Sequence, residues 1–229
     1  MILGIILSNR KKSEKQQIVE TIPIRISING IKGKSTITRL VTNILIESGY
    51  KVVGKTTGTS SKMIYWFQDN QSNLDSKLQT TNSNDELSVL KNAVDIEAEA
   101  IVYENVDADY KSKKAPKFKL LNENIAVIAN ISEDYLEEDD KIVQSFAEII
   151  PYDGYLITIN SNYTDYFKQV ARERDTKVIT ANNSKITYEY LDLFDYDVSV
   201  ENAALALAVG QALGIDEKTC LRGMVNLEG

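Results

Sequence analysis

Residues 24–45, IRISINGIKGKSTITRLVTNIL, join three patterns that together allow few local structures. Ile24, Ile26 and Ile28 alternate with polar residues at the period of a strand, and Ile37, Leu40, Val41, Ile44 and Leu45 recur along one helix face. Between them lies Gly30-Ile31-Lys32-Gly33-Lys34-Ser35-Thr36. A strand turning through glycines straight into a helix gathers free N–H groups, roughly half a positive charge from the helix dipole, an amine and two hydroxyls at one point. That point suits a phosphate. In P-loop fashion Lys34 would reach the β- and γ-phosphates and Ser35 would ligate Mg²⁺, with Gly30, Lys32, Gly33 and Thr36 completing the cradle. The loop is shorter than G-x-x-x-x-G-K-[ST], because Ile28 stands where the first glycine would be. A glycine turn capped by Ser35 or Thr36 is the alternative that the residues alone leave open.

The same alternation of patterns continues along the chain. Short apolar strands are expected at 51–54, 100–104, 125–130, 155–159 and 177–180, with helices near 85–96, 141–149 and 164–173 and a helix-rich end from Glu201. Gly49 closes the first helix, and the Asn/Ser-rich residues 67–84 form a surface loop. Strands that are apolar throughout and separated by helices predict an α/β fold: a P-loop-type, mostly parallel sheet with helices on both faces. Ligands of such sheets sit at the carboxyl ends of the strands, where the glycine loop falls.

Composition removes whole classes of chemistry. The 229 residues include no histidine and one cysteine, Cys220, so imidazole bases, serine triads, thiolate clusters and internal disulfides are excluded. Catalysis must run on carboxylates, lysines, hydroxyls and backbone groups. A formal net charge of −7 argues against a nucleic-acid partner. The apolar residues 1–7 followed by Arg10, Lys11 and Lys12 fit the remnant of a membrane anchor on the cytoplasmic side, or equally a packed terminal segment. A spanning helix needs about 20 apolar residues, which this stretch lacks. The expected organisation is an N-terminal segment at 1–20 and a single phosphate-loop domain at 21–229.

Residues 22–66, IPIRISINGIKGKSTITRLVTNILIESGYKVVGKTTGTSSKMIYW, together with PYDGYLIT at 151–158 and residues 163–226, resemble the ATP-dependent ligase subunits of poly-γ-glutamate synthases, the CapB/PgsB type, in the Mur ligase superfamily. The resemblance implies a Mur-ligase central-domain fold and activation of a glutamate carboxylate by ATP as an acyl phosphate, with release of ADP. It implies ATP and Mg²⁺ as cofactors, glutamate or poly-γ-glutamate as substrate, and other membrane subunits of the synthase as partners at the cytoplasmic face, with homo-oligomerisation left open. Lys34 and Glu104 take the catalytic positions, Ser35 and Glu104 the metal positions, and Asn202 the adenine-contacting position, although Asn202 is locally as good a helix N-cap. Thr56, Thr57, Gly58 and Thr59 form the turn facing the acceptor, with Lys55 and Lys62 beside it as steering cations or solubilising ones. The basic run 111–119 has the same two readings.

The chain also departs from that pattern. Where the family carries Asp-His after the strand at 125–130, this sequence has Asp134-Tyr135, and tyrosine is a poor Mg²⁺ ligand. One metal or two is therefore open, with Asn130, Asp134 and the acids of 137–140 as substitutes. The sequence stops at LEG, where the family's smaller carboxy-terminal domain is expected. Two functions follow: an ATP-dependent amide ligase, or a non-catalytic nucleotide-binding scaffold or regulator of the same complex.

Overall fold

The computed structural model describes residues 19–57, 62–67, 86–105, 122–130 and 140–226. Within them, β1 (Ile24–Asn29), β2 (Val52–Lys55), β3 (Met63–Tyr65), β4 (Ala100–Glu104), β5 (Ile125–Ile128), β6 (Tyr155–Thr158) and β7 (Lys177–Thr180) form one sheet. Its order is β3-β2-β4-β1-β5-β6-β7, and every neighbouring pair is parallel except β2 with β3. The helices are α1 (Lys34–Glu47), α2 (Glu86–Asp95), α3 (Asp140–Glu148), α4 (Thr164–Glu173), α5 (Tyr188–Leu191), α6 (Val200–Ala212) and α7 (Glu217–Val225).

Parallel strands covered on both faces must be apolar on both, and AIVYE, IAVI and YLIT are. On one face Ile26, Ile28, Ala100, Val102, Val127 and Ile157 pack under α1, α6 and α7. Residues 203–210 of α6 are all buried, as an Ala/Leu/Val helix without a polar stripe must be. The opposite face carries two separate clusters. Val53, Ile101 and Tyr103 pack with Val89, Leu90 and Ala93 of α2, while Ala126, Ile128 and Leu156 pack with residues of α3 and α4. Val19, on the far side of the expected boundary at 20, is buried in the α2 cluster. Among the described residues no helix is long and apolar enough to cross a membrane.

β1 is central, with β4 on one side and β5 on the other. The chain leaves β1 through α1 toward β2 and leaves β5 through α3 toward β6, in opposite directions. A crevice at the carboxyl ends of β1 and β5 follows from that reversal. β3 was not expected from the sequence pattern. Its three residues are all half-buried on an edge, so no alternation marks it, and pairing with β2 is what makes it a strand.

Candidate functional site

The glycine loop crosses the carboxyl edge of the sheet between β1 and α1. Gly30 has φ +135°, and a Cβ there would stand 2.8 Å from the Ala129 Cβ, so only glycine lets the loop lie against the end of β5. The Ile31 N–H donates to the Asn130 carbonyl at 3.1 Å and the Ala129 N–H to the Asn29 carbonyl at 2.8 Å. Gly33, φ +85°, is the N-cap of α1 and has no side chain to cap it. That removes the Ser/Thr-capped alternative. Lys34 is buried and its Nζ donates to the Gly30 carbonyl at 3.0 Å, bending the amine back over the loop. Lys32 is exposed, and Ser35 and Thr36 are half-buried.

Glu104 is brought to this loop by strand register. β4 pairs with β1 so that Glu104 lies opposite Ile28, two residues before the loop. The carboxylate is 4% exposed, and the Ser35 hydroxyl lies 3.0 Å from Oε1 and 2.8 Å from Oε2. The Thr57 N–H, just beyond β2, donates to Oε2 at 2.8 Å. A hydroxyl and a buried carboxylate at the start of α1 form an oxygen-only donor pair, which fits a hard divalent cation. Among the described residues no group of three or more His, Cys, Asp or Glu could hold a metal by itself. A cation held here would need further oxygen ligands from outside these side chains.

Asn202 also reaches the loop. Ser199, not Asn202, caps α6, accepting from the Asn202 N–H at 3.2 Å, which frees the Asn202 side chain. A Cβ on Gly33 would overlap the Asn202 amide oxygen, so that amide rests directly on the glycine.

The turn after β2 differs in detail from expectation. The Thr56 hydroxyl accepts from the Lys62 N–H at 3.0 Å and the Thr56 N–H donates to the Lys62 carbonyl, so Thr56 closes the turn. Thr57 contributes its backbone N–H; Gly58 and Thr59 lie outside the described residues, as do 111–119, Asp134 and Tyr135. Lys62 is exposed, but Lys55 is not an exposed steering cation: it is 1% exposed. Gly54 faces α1, where a Cβ would meet Thr42, so alternation sends Lys55 to the opposite face of the sheet. Burial pulls the Lys55 amine below its ordinary pKa, opposed by the negative charge of Glu104. Sequence reasoning also missed Asn29 and Asn105, both buried at strand ends flanking the loop and Glu104. Their only local signal is a polar residue ending an apolar strand.

Comparison with known proteins gives these features a context. Residues 28–227 match the Mur ligase middle domain. The chain is 47% identical over 215 residues to "Capsule biosynthesis protein CapB" of Bacillus anthracis, covering 92% of this chain and 46% of that protein. It is 46% identical over 230 residues to "PGA synthase CapB" of Bacillus subtilis (strain 168), covering 99% of this chain and 58% of that protein. The chain thus spans about half the length of these relatives. Among solved structures, E. coli FolC in complex with DHPP and ADP superposes with a TM-score of 0.65 at 17% identity, covering 93% of this chain and 59% of that one. A folylpolyglutamate synthase/dihydrofolate synthase with Mn, AMPPNP and L-glutamate bound superposes with a TM-score of 0.66 at 15% identity, covering 95% and 61%. At these identities the likeness is one of fold. By the family match and the identity over nearly its whole length, the chain belongs to the Mur ligase family.

Proposed function

We propose that this chain is the ATP-binding domain of an ATP-dependent amide ligase that builds poly-γ-glutamate. The observation that carries the proposal is the junction of Ser35, Glu104 and the Thr57 N–H at the start of α1, behind a glycine loop bearing Lys34. Identity of 46–47% to two CapB proteins supports glutamate and its polymer as the substrate class.

Forming an amide from a carboxylate requires a better leaving group than oxide. A glutamate carboxylate oxygen attacks the γ-phosphorus of ATP, the bond to the bridging oxygen breaks, and ADP leaves. An amine then attacks the acyl carbon and phosphate departs. For the first step the protein chiefly positions groups and offsets charge. Gly30, Gly33 and the first turn of α1 hold the phosphates through N–H groups, with Lys32 and Thr36 at their rim. Lys34, released from the Gly30 carbonyl, follows the γ-phosphate. Ser35 and Glu104 would hold a divalent cation such as Mg²⁺, which would supply charge neutralisation. Asn202 orients the nucleotide from the Gly33 side, and the turn from Thr57 to Thr59 faces the acceptor. The chain works at the cytoplasmic face of the membrane beside other synthase subunits.

The test is ADP release by the full-length protein with ATP, Mg²⁺ and glutamate. Lys34→Ala should lower the rate on the order of 100-fold or more, the scale for removing one charge-stabilising donor. Production of AMP rather than ADP would sink the proposal.

A further inference from the structure

Asn29 is the last residue of β1 and directly precedes Gly30; Asn105 directly follows Glu104 at the end of β4. They are 2% and 3% exposed. The Asn105 amide nitrogen donates to Asn29 Oδ1, and the Asn29 amide nitrogen donates to the Val127 carbonyl at 3.2 Å and to Ser27 Oγ at 3.0 Å. The backbone repeats the connection, since the Asn105 N–H donates to the Ile28 carbonyl at 2.9 Å. One pair of side chains therefore ties together the carboxyl ends of β4, β1 and β5.

The orientation of both amides is determined. The Val127 carbonyl can only accept, so Asn29 must turn its nitrogen there and its oxygen to Asn105. Asn105 must then offer its nitrogen to Asn29. Its own oxygen is left buried without a partner among the described residues. A buried acceptor left unmade is destabilising, a cost that an apolar pair of the same shape would avoid. Stability alone gives no reason for this pair.

We propose that the Asn29–Asn105 amide pair is a positioning device, which fixes the Glu104 end of β4 against the entry of the glycine loop and so sets how well Glu104 meets a divalent cation. The inference rests on the role given to Glu104 under the proposed function. Partners behind a metal ligand typically contribute 10- to 100-fold to metal affinity. Asn105→Leu keeps the branching at Cγ without a hydrogen-bonding atom; it removes one unpartnered oxygen and creates another at Asn29, and the bulkier side chain lowers the melting temperature somewhat in this buried site.

Two affinities of the full-length protein test the idea: Mn²⁺ for the ADP-saturated protein, followed by the Mn²⁺ resonance signal, and ADP measured in EDTA. Asn105→Leu should weaken Mn²⁺ about tenfold or more and leave ADP in EDTA within about twofold. If both fall together, the pair is merely structural and the proposal is overturned; unchanged Mn²⁺ affinity overturns it as well. Should the leucine side chain prevent folding, Asn105→Ala takes its place, and the same two affinities support or overturn the proposal in the same way. Glu104→Gln separates the levels of inference. If it weakens Mn²⁺ while Asn105→Leu does not, only the positioning role fails; if it leaves Mn²⁺ at the parent value, the role of Glu104 fails and the positioning role with it.

Discussion

Ser35 and Glu104 stand 69 residues apart in the chain and meet through one hydroxyl lying 2.8 and 3.0 Å from the two carboxylate oxygens. The contact joins the first turn of α1 to the end of β4. It places a hydroxyl oxygen and a carboxylate of the candidate site against each other.

Removing that hydroxyl leaves a buried carboxylate with the Thr57 N–H as its described donor. Ser35→Ala is expected to cost about 1–3 kcal/mol in folding stability and to lower Mg²⁺-dependent ADP release, while Ser35→Thr, which keeps the hydroxyl, stays close to the parent. Denaturant titration and a coupled ADP assay read the two effects. Equal behaviour of the alanine and threonine variants would refute the role of the hydroxyl.

Gly33 has two independent reasons to be glycine: φ of +85°, and the Asn202 amide lying where a Cβ would go. Gly33→Ala should destabilise the protein by about 1–3 kcal/mol and weaken ADP binding. Adding Asn202→Ala relieves the overlap but not the backbone strain, so stability should recover in part and ADP affinity should not. Calorimetric titration with ADP distinguishes the two recoveries.

Burial pushes the Glu123 carboxyl up from an ordinary value of 4.5 to about 7, against its own backbone hydrogen bond, the Arg25 charge and a hydrogen bond with Ser27. The folded protein therefore holds this proton more tightly than the unfolded chain. The resulting stabilisation is fully present below about pH 4.5 and is lost as the pH rises through about 7, with an upper bound of about 3 kcal/mol. Glu123→Gln should flatten that part of the melting-temperature profile between pH 4.5 and 8. Parallel profiles for the parent and the variant would show that Glu123 carries no such linkage.

Cys220 is fully buried against Gly210, and burial, with Asp216 and Glu217 nearby, pushes its thiol up to about 11. Thiolate is the reactive form. At pH 8 a chromogenic disulfide reagent should leave Cys220 unmodified in the native protein over minutes and modify it in guanidinium. Prompt native reaction would mean that the packing of α6 on α7 opens readily.

Much of this architecture is written in local pattern. The isoleucines of β1, the loop's glycines and lysines and the stripe of α1 lie within 22 consecutive residues, so period and turn chemistry sufficed to place a strand, a glycine loop and a helix in that order. The apolar runs of β4, β5 and β6 were equally plain, because strands buried on both faces have little freedom of composition. Resemblance to a family is what singles out Glu104; local pattern makes it only an acid at a strand's end. β3 left no trace, being short and half-buried at an edge.

The sequence by itself determined the strand–loop–helix unit and the parallel α/β class, since each depends on residue type or on spacing within one element. The tertiary structure decided which distant groups share the site. Register set Glu104 opposite Ile28 and the Asn105 side chain on Asn29, 76 residues away. Ser199 took the cap of α6 and released Asn202 to Gly33, while the face given to Lys55 by its strand buried a lysine that composition would leave in water. Such meetings depend on how strands pair and helices cover them, a free energy summed over the whole fold and not encoded in any one window of residues.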